Sequence, residues 1–212
     1  MIFESYTQFH MSGFEAQICV MGSGPAGVTI ARELAAAGIP VVLLEAGGVD
    51  PTEESQEFYK GIVEGDPYFE LDATRLRYFG GSSNHWAGWC RVMDAVDFEA
   101  KPHVPDSGWP IKRVDLEPFF AKVHELLDLE PFQEDRPVSN DIRWVQLIKS
   151  PAVRFGEKFG KEIEKSDKIA LVLNTYVTEL TGDGKSISSA KIWSHGAQAG
   201  EMDGVPRPEP ER

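Results

Sequence analysis

The feature that most constrains the fold is a glycine-rich turn, Gly22-Ser-Gly24-Pro-Ala-Gly27, which lies between an apolar run and an alanine-rich stretch. The apolar run at 17–21 predicts a strand, and the following stretch predicts a helix that begins at Pro25 and includes Ala26. Glycines in such a turn let the backbone approach a pyrophosphate, and the helix N-terminus adds amide donors and the positive end of a dipole. This glycine turn (residues 22–27) therefore predicts a dinucleotide-binding site.

A second apolar run, Val41-Val-Leu-Leu44, completes a βαβ unit and is followed by Glu45 and Ala46. An acidic residue about 20 positions after the glycine turn is expected to hold the ribose of a dinucleotide. Strand, glycine turn, helix, strand and acid thus follow in the order of a Rossmann-like unit, which predicts an α/β fold. Helical spacing predicts the helix face that packs on the sheet: Ala26, Ile30, Leu34 and Ala35.

A second glycine segment lies downstream, and we call residues 80–85 the Gly80 segment. It contains two glycines, three hydroxyl or amide side chains and a histidine, and Trp86 follows it: Gly80, Gly81, Ser82, Ser83, Asn84 and His85. Glycines permit unusual backbone angles and close approach to a ligand, and Ser and Asn supply hydrogen-bonding groups. We interpret the segment as a ligand-binding loop; the alternative is a structural turn with aromatic packing.

The rest of the chain predicts a helical insertion followed by a β-hairpin. One amphipathic helix is expected over 116–127 with Asp115 as its N-cap, and a second over 151–166. Apolar runs at 169–173 and 176–180 predict strands, and Gly182-Asp-Gly184 predicts a turn into a partner strand at 187–193.

We expect a flexible N-terminus over 1–15, one dinucleotide-binding domain over 16–195, and a disordered tail over 196–212. Met11 is a candidate translation start.

Composition excludes several other functions. The net charge is −13 and no basic stripe occurs, so a nucleic-acid partner is not expected. No run approaches the ~18 apolar residues of a membrane span, and no secretory signal is visible, which predicts a cytoplasmic protein. Cys19 and Cys90 support neither a metal site nor a disulfide. The acidic stretch at 49–72 is interpreted as a solvated connection rather than as a set of metal ligands.

Together these motifs resemble the glucose-methanol-choline (GMC) family of flavin oxidoreductases. The resemblance runs from about 16 to 193 and rests on four motifs: Gly-Ser-Gly-Pro-Ala-Gly at 22–27, Leu-Leu-Glu-Ala-Gly-Gly at 43–48, Gly-Gly-Ser-Ser at 80–83 and Ser-Gly-Trp-Pro-Ile at 107–111. The form Gly-Gly-Ser-Ser-Asn-His-Trp is most similar to the sugar-dehydrogenase and pyranose-oxidase branch. The fold implied is the Rossmann-like FAD-binding unit, incomplete relative to the family fold.

The resemblance also implies roles for individual residues. Gly22, Gly24 and Gly27 would contact the FAD pyrophosphate, and Glu45 would hold the adenosine ribose. The glycines and serines of the Gly80 segment would line the flavin end of the cofactor. His85 occupies the place of a histidine that some members bond covalently to the flavin ring, although a histidine there can also pack without a bond. Val177 lies on a strand whose backbone would meet the adenine.

The resemblance implies an FAD-dependent oxidoreductase acting on the CH–OH group of a sugar or polyol, with an electron-acceptor subunit as a candidate partner. Family members are longer, and their catalytic histidine near the C-terminus has no counterpart here; His195 is not assigned that role. We therefore expect a truncated FAD-binding portion that exposes apolar surface and is inactive alone. Two alternatives stay open, a non-catalytic nucleotide-binding module and a fragment of an NAD-dependent dehydrogenase.

Overall fold

The computed structural model describes residues 1–131, 135–185 and 187–194, which divide into two compact units. The first unit consists of Met1–His85 and the described residues from Arg154 onward, and the second is Trp86–Val153. The single domain predicted over 16–195 stays a prediction. The predicted disordered tail, 196–212, and His195 lie outside the described residues.

Seven α-helices and ten strands are labelled here within the described residues. In chain order they are β1 (Ile2–Phe3), α1 (Tyr6–Met11), β2 (Ile18–Met21), α2 (Pro25–Ala36), β3 (Val41–Leu44), α3 (Glu53–Gln56), α4 (Leu71–Thr74), β4 (Trp89–Cys90), α5 (Arg113–Leu116), α6 (Phe120–Leu127), β5 (Arg136–Pro137), β6 (Arg143–Trp144), β7 (Ile148–Lys149), α7 (Phe155–Lys165), β8 (Ile169–Val172), β9 (Thr175–Gly182) and β10 (Ile187–Ser194). Short 3₁₀ helices cover Glu57–Tyr59, Gly81–Asn84, Ala95–Phe98 and Glu117–Phe119.

A four-stranded parallel sheet in the order β1-β8-β3-β2 forms the framework of the first unit. The inner strands β3 and β8 are continuous apolar runs, as expected of parallel strands covered on both faces. Leu43 and Leu171 are fully buried, whereas Ile18 and Met21 at the β2 edge are exposed. The α/β fold class with a Rossmann-like βαβ unit is thereby confirmed, and so is the hairpin, formed by β9 and β10.

Helix α2 begins at Pro25 as predicted, but a different face packs on the sheet. Its buried residues are Gly27, Val28 and Ala31, whereas Ala26 and Ile30 are exposed. The physical reason is a close approach: a Cβ at residue 27 would lie 1.9 Å from the carbonyl oxygen of Gly22. The helix therefore turns the side that lacks a side chain toward the end of β2, and this fixes its rotation.

The N-terminal residues, expected to be flexible over 1–15, contain an ordered strand and a helix. The amides of Leu171 and Leu173 donate to the carbonyls of Met1 and Phe3, both at 2.9 Å, so that β1 extends the sheet beside β8. Phe3 also packs against Phe9 of α1, with ring centroids 5.8 Å apart. A pairing partner about 170 residues away supplies order that no local pattern predicts.

The second unit contains short elements, with β4 paired to β7 and β5 to β6, both antiparallel. The helix predicted over 116–127 is divided into α5, a 3₁₀ turn and α6, because Pro118 lies in the intervening turn and cannot donate a helical hydrogen bond. The N-cap is Lys112 rather than Asp115, whose carboxylate accepts from the Lys112 amide at 2.8 Å.

An ion-pair network connects separate loops of this unit. Arg91 donates to both carboxylate oxygens of Asp135, at 3.0 and 2.8 Å, and also contacts Asp94, to which Arg143 donates at 2.7 Å. The hydrogen bonds from Arg91 hold the pKa of Asp135 below its usual value.

Across both units, none of the described helices is long and apolar enough to cross a bilayer.

Candidate dinucleotide-binding site

The glycine turn lies where β2 ends and α2 begins, at the carboxyl edge of the parallel sheet. The Gly22 amide donates to the carbonyl of Leu44 at 2.8 Å, which fixes the start of the turn to the end of β3. Gly24 is the N-cap of α2 and Pro25 occupies the first helical turn. A Cβ built at Gly24 meets nothing within 4 Å, so the space on that side of the residue is open.

Glu45 is buried directly behind this turn. Its Oε2 accepts hydrogen bonds from the amide of Ser23, at 2.9 Å, and from the Ser23 hydroxyl, while its Oε1 accepts from the Gly47 amide at 2.9 Å. An ionised carboxylate has about four lone-pair sites, so these three donors leave room for one more. Its backbone is fixed as well, because the Thr175 amide donates to the Glu45 carbonyl at 2.8 Å.

The Gly80 segment reaches the glycine turn through its backbone. Gly80 and Gly81 have φ angles of +95° and +54°, in the left-handed region that favours glycine. A Cβ at residue 81 would lie 3.2 Å from the Cα of Gly24, and one at residue 80 would lie 2.7 Å from the amide nitrogen of Gly156. Two glycine motifs that are far apart in sequence therefore meet backbone to backbone.

The polar side chains of the Gly80 segment mostly hold the segment itself in place. Ser83 is buried; its hydroxyl donates to the Gly80 carbonyl at 2.7 Å and accepts from the Phe155 amide at 3.1 Å, at the start of α7. Asn84 donates to the Phe79 carbonyl at 2.9 Å, and Ser82 accepts from the Leu76 amide at 3.2 Å. These three residues, which the sequence suggests as ligand contacts, thus make internal contacts here.

His85 is the last residue of the Gly80 segment, and Val177 lies on β9. His85 is exposed, and within the described residues no hydrogen bond or ion pair to its imidazole occurs. Val177 is partly buried in β9, paired with Ile192 of β10 and two positions after Thr175, the residue bonded to Glu45. Ala46, the remaining residue of the predicted set, directly follows Glu45 and is partly buried.

A buried arginine near Glu45 is absent from the sequence-based prediction. Arg77 lies over the rings of Phe58 and Tyr176, 4.3 and 4.9 Å from their centroids, and donates to the Ser55 hydroxyl at 3.1 Å. Burial lowers the pKa of its guanidinium, since the charged form is poorly solvated there. Tyr176, Tyr59 and Glu45 lie close enough to oppose this lowering of the Arg77 pKa.

Sequence reasoning also missed the roles of Ser23 and Gly156. Ser23 occupies a variable place of the glycine motif, where the pattern specifies no side chain, and Gly156 lies in a predicted helix. The small size of both residues is compatible with close backbone contact, but the sequence does not indicate which neighbours they contact. Altogether the first unit presents a helix N-terminus, a fixed acid and a second glycine backbone, which together fit an anionic dinucleotide.

Comparison with known proteins finds a similar fold among solved structures. No family model and no curated protein sequence matches the chain. The fold is similar to the crystal structure of pyridoxine 4-oxidase from Mesorbium loti, with a TM-score of 0.52 and 17% sequence identity. The match covers 86% of this chain and 47% of that chain, so this chain spans about half the length of its neighbour. The likeness supports a GMC-like fold and does not identify a branch.

Proposed function

We propose that this chain is the FAD-binding portion of an oxidoreductase that acts on the CH–OH group of a sugar or polyol, in the sugar-dehydrogenase and pyranose-oxidase-like branch of the GMC family. One observation carries the proposal: the glycine turn, Glu45 and the Gly80 segment meet within the first unit. The fold similarity to a protein named as an oxidase agrees with a redox function.

The proposed contacts follow from the geometry. Amides at the N-terminus of α2 would face the pyrophosphate through the open space at Gly24. Glu45 would use its remaining lone-pair site for a ribose hydroxyl, and the backbone near Val177 would approach the adenine. The Gly80 segment would lie against the flavin end, with His85, its last residue, exposed. When bound, FAD would supply the hydride acceptor; these residues bind and orient it.

The chain is proposed to depend on further polypeptide for catalysis. By the family resemblance, the base that takes the alcohol proton comes from a C-terminal region with no counterpart in this sequence. An electron-acceptor subunit, the identity of the alcohol and a cytoplasmic location are parts of the same proposal. Alone, the chain is expected to bind FAD weakly and to oxidise no alcohol.

Titration of the purified chain with FAD, followed by flavin fluorescence, tests the proposal. Gly24→Ala is the informative variant, because its Cβ enters open space and leaves the fold intact while obstructing the pyrophosphate. We expect it to weaken FAD binding by about tenfold or more. Gly160→Ala in α7 is the matched control, since its Cβ makes only an ordinary 3.5 Å contact with Phe79.

Two results of this titration would contradict the proposal. Equal affinity of the wild type and Gly24→Ala for FAD would remove the glycine turn from the cofactor site. Tighter binding of NAD than of FAD, measured in parallel, would favour the dehydrogenase alternative.

A covalent bond between His85 and the flavin ring is proposed as well, because the resemblance places such a histidine at residue 85 and its imidazole is exposed. The new N–C bond would replace an imidazole N–H bond and a flavin C–H bond, and FAD itself would take up the two hydrogen atoms with their electrons. The FAD-loaded protein should then show flavin fluorescence that migrates with the intact chain on a denaturing gel. His85→Ala should lose that fluorescence and His103→Ala, also an exposed histidine, should keep it. Complete release of flavin from the wild type by acid would show that the bond is not formed.

A further inference from the structure

Ser23 is fully buried at the point where the three parts of the site meet. Its amide and hydroxyl both donate to Oε2 of Glu45, and its hydroxyl oxygen accepts from the Gly80 amide at 3.3 Å. One side chain thus connects the glycine turn, the acid after β3 and the Gly80 segment.

Serine is the smallest residue that can make these contacts at once. A hydroxyl has one proton to donate and two lone pairs to accept with, and both functions are used here. Alanine at this position would remove one of the three donors to the buried Glu45 carboxylate and leave the Gly80 amide without its partner. A buried polar group without a partner is costly, so both neighbours would move.

We infer that Ser23 is a positioning residue that couples the two ends of the cofactor site, so that a ligand on Glu45 orders the Gly80 segment. This inference rests on the proposed function, in which Glu45 holds the ribose and the Gly80 segment holds the flavin end. A ribose hydroxyl donating to Glu45 fixes the carboxylate, the carboxylate fixes the Ser23 hydroxyl, and the hydroxyl fixes the Gly80 amide. The adenosine half of FAD then prepares the site for the flavin half.

ADP tests the coupling, because it carries the ribose and pyrophosphate but no flavin. Hydrogen exchange of the full chain, read on the peptide that spans residues 78–85, should slow severalfold when ADP is added to the wild type. At ADP concentrations that saturate each protein, Ser23→Ala should lose this slowing, and Ser23→Thr, which keeps the hydroxyl, should restore it. Persistence of the slowing in Ser23→Ala would overturn the coupling.

The matched control is Ser150→Ala in the second unit. Ser150 is also buried, and its hydroxyl also accepts a backbone amide at 3.3 Å, from Val153. It should leave the ADP response of residues 78–85 unchanged. Ser23→Cys, which fills a similar volume with a weaker hydrogen-bonding group, gives the same comparison if Ser23→Ala does not fold.

Hydrogen exchange measured without ligand distinguishes a failure of this inference from a failure of the proposed function. If the wild type binds neither ADP nor FAD, the proposed function fails, and the Gly80 amide still reports on Ser23. That amide should then exchange up to about tenfold faster in Ser23→Ala and at an unchanged rate in Ser150→Ala. Equal exchange in the wild type and Ser23→Ala would overturn the positioning role whether or not a cofactor binds.

Discussion

At the scale of single residues, the candidate site depends on glycines, because the Cβ atom that they lack would fill the space at several close contacts. The Gly80 segment comes close to the glycine turn because Gly81 carries no Cβ where it faces the Cα of Gly24, and α2 approaches β2 for the same reason at Gly27. Gly24 differs from these positions, since its missing Cβ faces open space. Glycines of one motif therefore have separate tasks, close packing at one position and access for a ligand at another.

Gly27→Ala is expected to destabilise the protein, in contrast to Gly24→Ala. The new Cβ would overlap the carbonyl oxygen of Gly22, a backbone atom that cannot rotate away. Overpacking of this kind costs about 1–3 kcal/mol or more, so the midpoint of urea unfolding should fall clearly for Gly27→Ala. Equal midpoints for the two variants would show that the turn adapts and that the close approach does not constrain it.

At the scale of elements, α7 supports the site from behind. Phe155, Phe159 and Ile163 follow at helical spacing and are all buried, and the first of them donates its amide to Ser83 of the Gly80 segment. The helix contributes packing energy to the sheet and also holds the Gly80 segment in place. Loss of its packing should therefore affect both stability and the site.

Ile163→Ala should lower the free energy of unfolding by about 2–5 kcal/mol, because it removes a fully buried side chain and leaves a cavity. Ile62→Ala makes the same chemical change at a residue that is 83% exposed, and should change the free energy by no more than about 0.5 kcal/mol. Chemical denaturation followed by circular dichroism measures both. A loss at Ile163 no larger than that at Ile62 would contradict the packing assigned to α7.

At the scale of the whole molecule, the described part of the sheet ends at β2, the strand that leads into the glycine turn. The amides of Ile18 and Gly22 donate toward β3, so the alternate groups of Cys19 and Met21 point toward the open edge. Cys19 and Met21 are exposed, whereas strands of parallel sheets are ordinarily covered on both faces. Such an edge is a site for unwanted strand pairing.

We expect the purified chain to self-associate as its concentration rises, through the β2 edge. Met21→Lys places a charge on this edge and should reduce the association, as measured by static light scattering. Ile62→Lys adds the same charge at an exposed residue outside the strands and should have a smaller effect. Equal effects of the two substitutions would indicate a general charge effect and not edge pairing.

The sequence predicts local features of this fold well. The helix start at Pro25 and the second strand at Val41–Leu44 of the βαβ unit are predicted correctly. Both depend on turn residues and hydrophobic periodicity, which act over only a few residues. The rotation of α2 escapes prediction, since it depends on contact between Gly27 and Gly22 and not on hydrophobic spacing. The two-residue strand β1 is too short to carry a pattern, and its partner is distant in the chain.

The sequence predicts which motifs come together in the candidate site, but it does not predict the hydrogen bonds that connect them. Both glycine motifs and Glu45 are recognisable from spacing, and the structure brings them together in one unit. The inward orientation of Ser83 and Asn84 depends on α7 and on the local carbonyls, which no sequence pattern identifies. Ser23 and Arg77 act through neighbours that are distant along the chain, and for the same reason the sequence does not indicate them.

The position of β8 has a consequence for the order in which the chain folds during synthesis. This strand lies between β1 and β3, yet it follows β3 by more than a hundred residues in the chain. Closing so long a loop is slow, because its entropy is lost before the contacts form. On a ribosome, β2, α2 and β3 can assemble early, but the edge of β3 that pairs with β8 stays unpaired until β8 has been made. Folding of the first unit therefore waits for the last third of the chain, and chaperone binding to the nascent protein should be strongest in that interval.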